Sequence, residues 1–404
     1  MRSATELINR ALRSVAEPTQ KGSPIYLALS GGVDSSVSAL ILREAGWCVN
    51  PILMRCWDDQ QDEGSNNCFD TELRAAERTV ATLKVEPLKV FDFVKEYWTD
   101  VFENVFLRGI KSGFIPNADL ACNRWVKFGA FPERVTELGG HNARMATGHY
   151  AKVRHTPEGV RLYAARDIQK DQSYFLASVQ GDSLKRVTLP VGDLLKSEVI
   201  SIASAVNLPS ATAKSSRGIC FVGKRSMAEF LAQYVVMEPG GKFVSLTSGE
   251  VLGEVKNGHA FTVGQRAKIG GLAQAMFVVR KQGKDIIVAP QGHKSLRCQS
   301  VWCDRADWVR AEPWSLAAGR ETKLSFKGCS TMAMQEASVR RKDGGWVVSF
   351  EKEGKRIARG QAIVLYDGDE CLGALWPRHV YEKDGHTEFI VDSSRDSVGL
   401  PVTR

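Results

Sequence analysis

None of the nine cysteines (48, 56, 68, 122, 220, 298, 303, 329 and 371) forms a C-x-x-C pair. That absence excludes a zinc ribbon and a thioredoxin-like redox motif, and no other metal-ligand spacing is legible. An odd number of cysteines without a secretory signal points instead to reduced thiols in an intracellular compartment. No apolar run reaches the ~20 residues that a membrane span needs, so no membrane partner is expected. Internal repeats and low-complexity tracts are also missing. No Gly-Lys-Ser/Thr closes a phosphate loop, which removes the Walker type of nucleoside triphosphatase. Charge of one sign is not scarce, but its imbalance is small: 54 Lys and Arg against 46 Asp and Glu, a net +8. That excess is compatible with a nucleic-acid partner and proves little by itself. With 404 residues and a 43% hydrophobic share, the chain has the content of two or three globular domains.

What is present centres on Ser30-Gly31-Gly32-Val33-Asp34-Ser35-Ser36. A short apolar run, Ile25 to Leu29, precedes it and reads as a buried parallel strand. A helical pattern with Val37, Leu40 and Ile41 follows. Strand, Gly-Gly turn and helix N-terminus together make an anion site, because glycine permits close backbone approach and the first-turn N–H groups point outward. Asp34 and the serines are expected to cap that first turn. The loop resembles the pyrophosphate loop of the ATP pyrophosphatases, which cleave ATP between the α and β phosphates and adenylate a substrate.

The pattern then alternates strand and helix, as in a doubly wound parallel sheet with both faces covered. Strands are expected at Val49 to Met54, Pro87 to Val90 and Arg144 to Thr147, the last running into Gly148-His149-Tyr150. Val94, Tyr97, Trp98, Val101, Phe102, Val105 and Phe106 sit at helical spacing and read as core rather than as a binding stripe. Gly109 to Asn123 reads as a loop, followed by a helix from about Trp125 to Leu138. Lys152 to Arg154 and Arg161 to Ala164 read as a hairpin, and Leu194 to Ala205 as a helix. After Gly218 the segments become short, β-branched and glycine-punctuated. Val251 to Val255, His259 to Val263, Phe277 to Arg280 and Ile286 to Ala289 suggest a small middle domain. Six more runs between Val301 and Trp376 suggest a C-terminal β-barrel. The expected division is an N-terminal extension 1–22, a catalytic α/β domain 23–222, a β-rich middle domain 223–290 and a barrel 291–404. Ligands of open parallel sheets bind beyond the carboxyl ends of the strands. The phosphate loop, Met54 and Gly148-His149 all lie at such ends.

Most single cysteines are small buried hydrophobes. Two stand out by context: Cys122 after Asn117-Ala118-Asp119-Leu120-Ala121, and Cys220 within Gly218 to Gly223. With Ala146 to Ala151, Lys170 to Phe175, Thr262 to Arg266, Gly360-Gln361 and Leu365 to Gly368, these segments make the chain resemble the tRNA-specific 2-thiouridylases over roughly Ile25 to Trp376. The fold implied is the adenine nucleotide alpha hydrolase-like α/β type with its pyrophosphate loop. The reaction implied replaces O2 of the wobble uridine by sulfur. Ala28, Leu29, Ser30, Gly31, Gly32, Val33, Asp34 and Ser35 would hold the ATP phosphates, with magnesium, while Met54 and Gly148 would contact the adenosine. Cys220 would carry a persulfide. Cys122 would release its sulfur or resolve it as a Cys122–Cys220 disulfide, thiolates being the reactive species. Asp119 would move a proton beside the base, and Asn117, Ala118 and Asp119 would contact the flipped uridine. Lys170, Asp171, Gln172, His149 and Gln361 would touch the tRNA. For His149 a satisfied sheet-end histidine is the competing reading. An iron–sulfur cluster on Cys122, Cys220 and a third ligand stays open as a cofactor.

The chain departs from the family pattern in places. Asn-Ala-Asp replaces the usual Asn-Pro-Asp, and Arg359-Gly360-Gln361 the usual Pro-Gly-Gln. Arg2, Arg10, Arg13 and Lys21, with a weak stripe of Leu7, Ala11, Leu12 and Val15, read either as a mitochondrial presequence or as a plain helix. Together these features favour a mitochondrial member, with a cytoplasmic one as the alternative. The partners implied are tRNA and a sulfur-donor protein, a cysteine desulfurase or a sulfur relay. Two rival functions are a pyrophosphatase that adenylates a small molecule for amidation and a tRNA-binding homologue without catalysis.

Overall fold

A computed structural model describes residues 3–389 except 16, 59–67, 113, 213–226, 236–239, 256, 257, 259, 260, 356, 359 and 382–386. Its first unit is a five-stranded parallel sheet. The strands are β1 (Pro24–Ala28), β2 (Cys48–Arg55), β3 (Lys89–Asp92), β4 (Arg144–Thr147) and a short β7 (Val187–Thr188), in the order β3-β2-β1-β4-β7. Between β4 and β7 the chain makes the hairpin β5 (Ala151–Thr156) and β6 (Gly159–Ala164). Helices cover both faces, as the alternating pattern requires. One face carries α1 (Ala4–Leu12), α2 (Val33–Glu44) and a helix α6 (Lys196–Ala205), which share a core of Leu7, Val37, Leu40, Ile41, Val199 and Ile202. The other face carries α4 (residues 94–111) and α5 (residues 118–139), each with a π-helical middle.

The aromatic positions of α4 are core: Tyr97, Val101, Phe102 and Phe106 are buried, and Trp98 stacks on Trp57 at its edge. One expectation is corrected here. Residues 118–123 are not loop but the first turns of α5, so Asp119 and Cys122 stand on a helix. The N-terminal stripe is docked: Ser3 and Glu6 form a capping box, Leu7, Ala11 and Val15 are buried, and Arg10 pairs with Glu198 at 2.8 Å.

The middle unit is a four-stranded sheet of β8 (Gly241–Ser245), β9 (Val251–Val255), β10 (Met276–Gln282) and β11 (Asp285–Pro290), ordered β10-β11-β8-β9. Phe261 to Val263, expected as strand, are not; Gly241–Ser245 supplies the fourth strand instead. The C-terminal unit closes six strands into a barrel: β12 (Arg297–Trp308), β13 (Thr322–Lys327), β14 (Gln335–Lys342), β15 (Gly345–Lys355), β16 (Ile363–Asp367) and β17 (Glu370–Tyr381). Closure comes from β12, which pairs with both β15 and β17 and so leaves no open edge there. The hairpin of the α/β domain continues this sheet, because Leu162 and Tyr163 pair with Cys371 and Glu370. The barrel's Val364, Tyr366, Cys371 and Ala374 enter the same core as Tyr174, Leu176 and Val126. Barrel and α/β domain are therefore one packed body on that side.

Candidate active site

The strand order reverses between β1 and β4, and the crevice of a doubly wound sheet opens at that point. From β1 the chain passes through Leu29 to Gly32 into α2. Gly31 has φ +73°, and a Cβ there would lie 2.6 Å from Ala75 Cβ, so neither the conformation nor the space admits a side chain. Gly32 is the N-cap of α2, in extended conformation and with no side-chain cap. The expected capping by Asp34 and the serines does not occur. Ser35 Oγ and Ser36 Oγ donate to the Gly32 carbonyl at 3.0 and 2.9 Å instead. No side chain takes the first N–H groups, which leaves them directed at the crevice.

Asp34 is held from two sides. Tyr150 Oη donates to its Oδ1 at 2.8 Å, and Lys196 Nζ reaches Oδ1 and Oδ2 at 2.6 and 2.7 Å. Burial and the Asp34 charge push the Tyr150 hydroxyl far up, so it stays a donor. The sequence reading assigned neither Lys196 nor Tyr150 to the site, and the structure brings both onto Asp34. A signal existed for Lys196: it opens α6, where the helix dipole disfavours a cation unless an anion stands opposite. Gly148 closes the other wall. A Cβ on it would sit 2.8 Å from Ser35 N and 3.0 Å from the Asp34 carbonyl carbon, so the turn after β4 rests directly on the start of α2. Met54 lies half-buried near the end of β2.

His149, next in the chain, is buried, accepts or donates to Thr147 Oγ1 through Nδ1 at 2.7 Å, and packs on Phe128 at 5.7 Å. Burial, then the Lys127 charge, holds its pKa well below the usual histidine value, so the ring is neutral. Phe128 belongs to α5, and this contact joins that helix to the phosphate crevice. Along α5, Asn117 is the N-cap and accepts from Leu120 N, Asp119 is exposed, and Cys122 is buried. The Ala118 side chain is buried as well. Asn123 Nδ2 donates to the Asp119 carbonyl at 2.9 Å. Although solvent reaches Asp119, the surrounding protein pushes its carboxyl up, against the opposing pull of Lys127. An acid with a raised pKa is suited to move a proton near neutrality.

The barrel grips this helix. Arg124 Nη1 pairs with Asp307 at 2.7 Å, and Trp376 Nε1 donates to the same carboxylate at 2.7 Å. Gly360, with φ +85°, lies against Phe114-Ile115, where a Cβ would meet the Ile115 carbonyl at 2.4 Å. Gln361 accepts from Ala358 N at 3.1 Å and stands beside that contact. Lys170 is exposed, whereas Asp171 is buried and Gln172 half-buried. Arg341 pairs with Glu312 and lies over Trp346. Cys298 and Cys303 are fully buried in the barrel. Cys220 and its neighbours 218–223 lie outside the described residues. Among the described residues, no group of three His, Cys, Asp or Glu side chains could hold a metal ion or cluster.

Three families match in succession: the tRNA methyl transferase HUP domain over residues 23–224, its PRC-barrel domain over 228–289, and an aminomethyltransferase beta-barrel domain over 299–376. A mitochondrial tRNA-specific 2-thiouridylase 1 of Mus musculus is 36% identical over 94% of this chain and 98% of its own length. The tRNA-specific 2-thiouridylase of Bacillus subtilis is 36% identical over 91% and 98%. The chain belongs to the tRNA-specific 2-thiouridylase family. A further thiouridylase, from Pseudomonas entomophila, is 37% identical over 86% and 93%. Among solved structures, an NMN synthetase from Francisella tularensis aligns at 13% identity and TM-score 0.35 over 57% of this chain and 82% of its own. In this thiouridylase-family chain no helix of the described residues is long and apolar enough to cross a membrane.

Proposed function

We propose that this protein replaces O2 of a tRNA uridine by sulfur, consuming ATP. The observation that carries the reading is the contact of His149 with Phe128, which sets an acid–thiol helix against an uncapped phosphate loop. ATP would lay its phosphates on the N–H groups of Val33, Asp34 and Ser35, with Met54 and Gly148 toward the adenosine. The residues present fit that anion: glycine where a side chain would intrude, free donors, and the Lys196 ammonium. Magnesium would arrive with the nucleotide and neutralise phosphate charge, and Asp34 is the carboxylate within its reach.

The uridine O2 attacks the α-phosphorus and expels pyrophosphate, which converts a poor leaving group into AMP. Lys196, moving from Asp34 to the departing phosphates, stabilises their charge. Asn117 and Asp119 face the base, with Asp119 exchanging its proton. The outer sulfur of a Cys220 persulfide, loaded by a donor protein, attacks C2, and AMP leaves. Cys122 then attacks the Cys220 sulfur. That step breaks the S–S bond to the product, releases the thiouridine, and leaves a Cys122–Cys220 disulfide for an external thiol to reduce. Mitochondrial residence is proposed on the mouse relative, and subcellular fractionation tests it.

The deciding experiment separates the two halves with labelled ATP and unmodified tRNA. Cys220→Ser is expected to form AMP without thiouridine, since the adenylate hydrolyses back to uridine. Once a donor has loaded the persulfide, Cys122→Ser is expected to form AMP but to hold the tRNA on Cys220 through an S–S–C2 linkage that an added thiol releases. Thiouridine formed at the normal rate by Cys220→Ser would refute the persulfide assignment, and AMP formation indifferent to tRNA would favour a small-molecule adenylating enzyme.

A further inference from the structure

The three side chains of Lys170-Asp171-Gln172 diverge. Lys170 points to solvent. Asp171 points into the junction with the barrel, where four donors saturate its carboxylate. Oδ1 accepts from the N–H groups of Ala165 and Ser173 at 3.0 and 3.1 Å. Oδ2 accepts from Ser173 Oγ at 2.9 Å and from Lys327 Nζ at 2.8 Å. Gln172 points toward the phosphate crevice. Its Oε1 accepts the Tyr150 N–H at 2.9 Å, and its own N–H donates to the Tyr150 carbonyl at 2.8 Å. Tyr150 in turn holds Asp34.

A second route leaves the same loop. Asp167 Oδ1 accepts the N–H groups of Gln169 and Lys170 at 3.1 and 3.2 Å, and its Oδ2 accepts the N–H of Lys196 at 2.8 Å. Both routes end on the Asp34–Lys196 pair. One runs through the Tyr150 hydroxyl and the other through the first residue of α6.

We infer that residues 167–172 couple tRNA docking to ATP turnover, with Gln172 as a positioning residue rather than an RNA contact. RNA seated on Lys170 fixes the loop. The fixed loop sets Tyr150 and the start of α6, and these aim Asp34 and Lys196 at the phosphates. Asp171 anchors the loop to the barrel, so RNA acts on the exposed turn 168–170, and a displacement there reaches Lys196 through Asp167 and Asp34 through Gln172 and Tyr150. The inference rests on the proposed tRNA-dependent adenylation. A path of contacts is not yet coupling, so the test must measure coupling itself.

The test compares Gln172→Met with Gln172→Glu in the full-length protein, using unmodified tRNA. Glutamate keeps an acceptor oxygen for the Tyr150 N–H; methionine fills the space without one. For Gln172→Met the expected result is tRNA affinity within about twofold of wild type and AMP formation at saturating tRNA lowered about tenfold, the scale of one lost hydrogen bond felt in the transition state. Gln172→Glu should recover most of that loss. Direct RNA contact predicts the reverse order, because a carboxylate repels phosphate and glutamate would bind tRNA worst. That order, or AMP formation unchanged in Gln172→Met, overturns the inference while leaving the thiolation reading intact. Wild-type AMP formation that ignores tRNA would sink both. Near-ultraviolet circular dichroism of each variant confirms that the comparison is made between folded proteins.

Discussion

Two aspartate–lysine pairs are joined through residues 167–172, and they differ in one respect. Asp34–Lys196 at the phosphate loop has side chains 33% and 18% exposed, while Asp171–Lys327 at the barrel junction has 1% and 2%. Their N–O distances are nearly equal, 2.6 and 2.8 Å. Water reaches the first pair, so the lysine can leave it for a phosphate at little cost. The second is sealed among Ser173, Tyr366 and Cys371 with every lone pair of Asp171 engaged. Separating it would strand a charge in a medium that cannot solvate it. The same two side chains thus make an exchangeable site in one place and a fixed joint in the other. Solvent access, not contact geometry, divides them.

The comparison can be broken most directly at the sealed pair. Lys327→Met leaves Asp171 buried without its cation and should cost about 3–5 kcal/mol in urea unfolding. Adding Asp171→Asn should return much of that, since the stranded charge is then gone. Equal stability of Lys327→Met and wild type would show that the joint is not electrostatic. At the open pair the effect should move from stability to rate. Lys196→Met is expected to change unfolding free energy by less than about 1 kcal/mol yet slow AMP formation about a hundredfold. A large loss of stability there would erase the distinction drawn between the two pairs.

A third measurement uses pH. His149 has a depressed pKa in the folded state, so below the ordinary histidine value near 6.5 the unfolded chain binds a proton that the native one refuses. Stability should therefore fall as pH drops below about 6.5, by up to about 1.4 kcal/mol per pH unit, until the depressed folded pKa is passed. His149→Asn should flatten that segment of the curve, and an unchanged slope would mean that the ring is protonated in the fold. The smallest effect belongs to the exposed cation. Lys170→Ala should reduce the slope of log affinity for tRNA against log salt by about 1, with little change in stability.

Several residues show how far a chain read by itself can go. Ser30 to Ser36 were legible because a phosphate loop is local: strand, Gly-Gly turn and helix start are neighbours in sequence. The barrel strands were legible for a similar reason, since half-buried strands alternate every second residue. Lys327 was not. It falls on the polar face of the alternation set by Leu324 and Phe326, where the period predicts exposure, and only Asp171, 156 residues away, makes its burial tolerable. The first turns of α5 were missed because Asn117 to Asn123 carries few helical signals of its own. Packing of Leu120, Ala121 and Val126 against α4 and the barrel core decides that helix.

By itself, then, the sequence determined that a Gly-Gly turn carries a strand into a helix, that a parallel sheet presents it, and that a barrel follows, because each depends on periodicity or on adjacent residues. Tertiary structure alone decided which way Asp171 and Gln172 face, that Tyr150 and Lys196 converge on Asp34, and that the barrel holds the helix of Cys122 through Arg124 and Asp307. Those are contacts between residues 22 to 183 positions apart, with charges whose partners and solvation do not exist until the chain has folded around them.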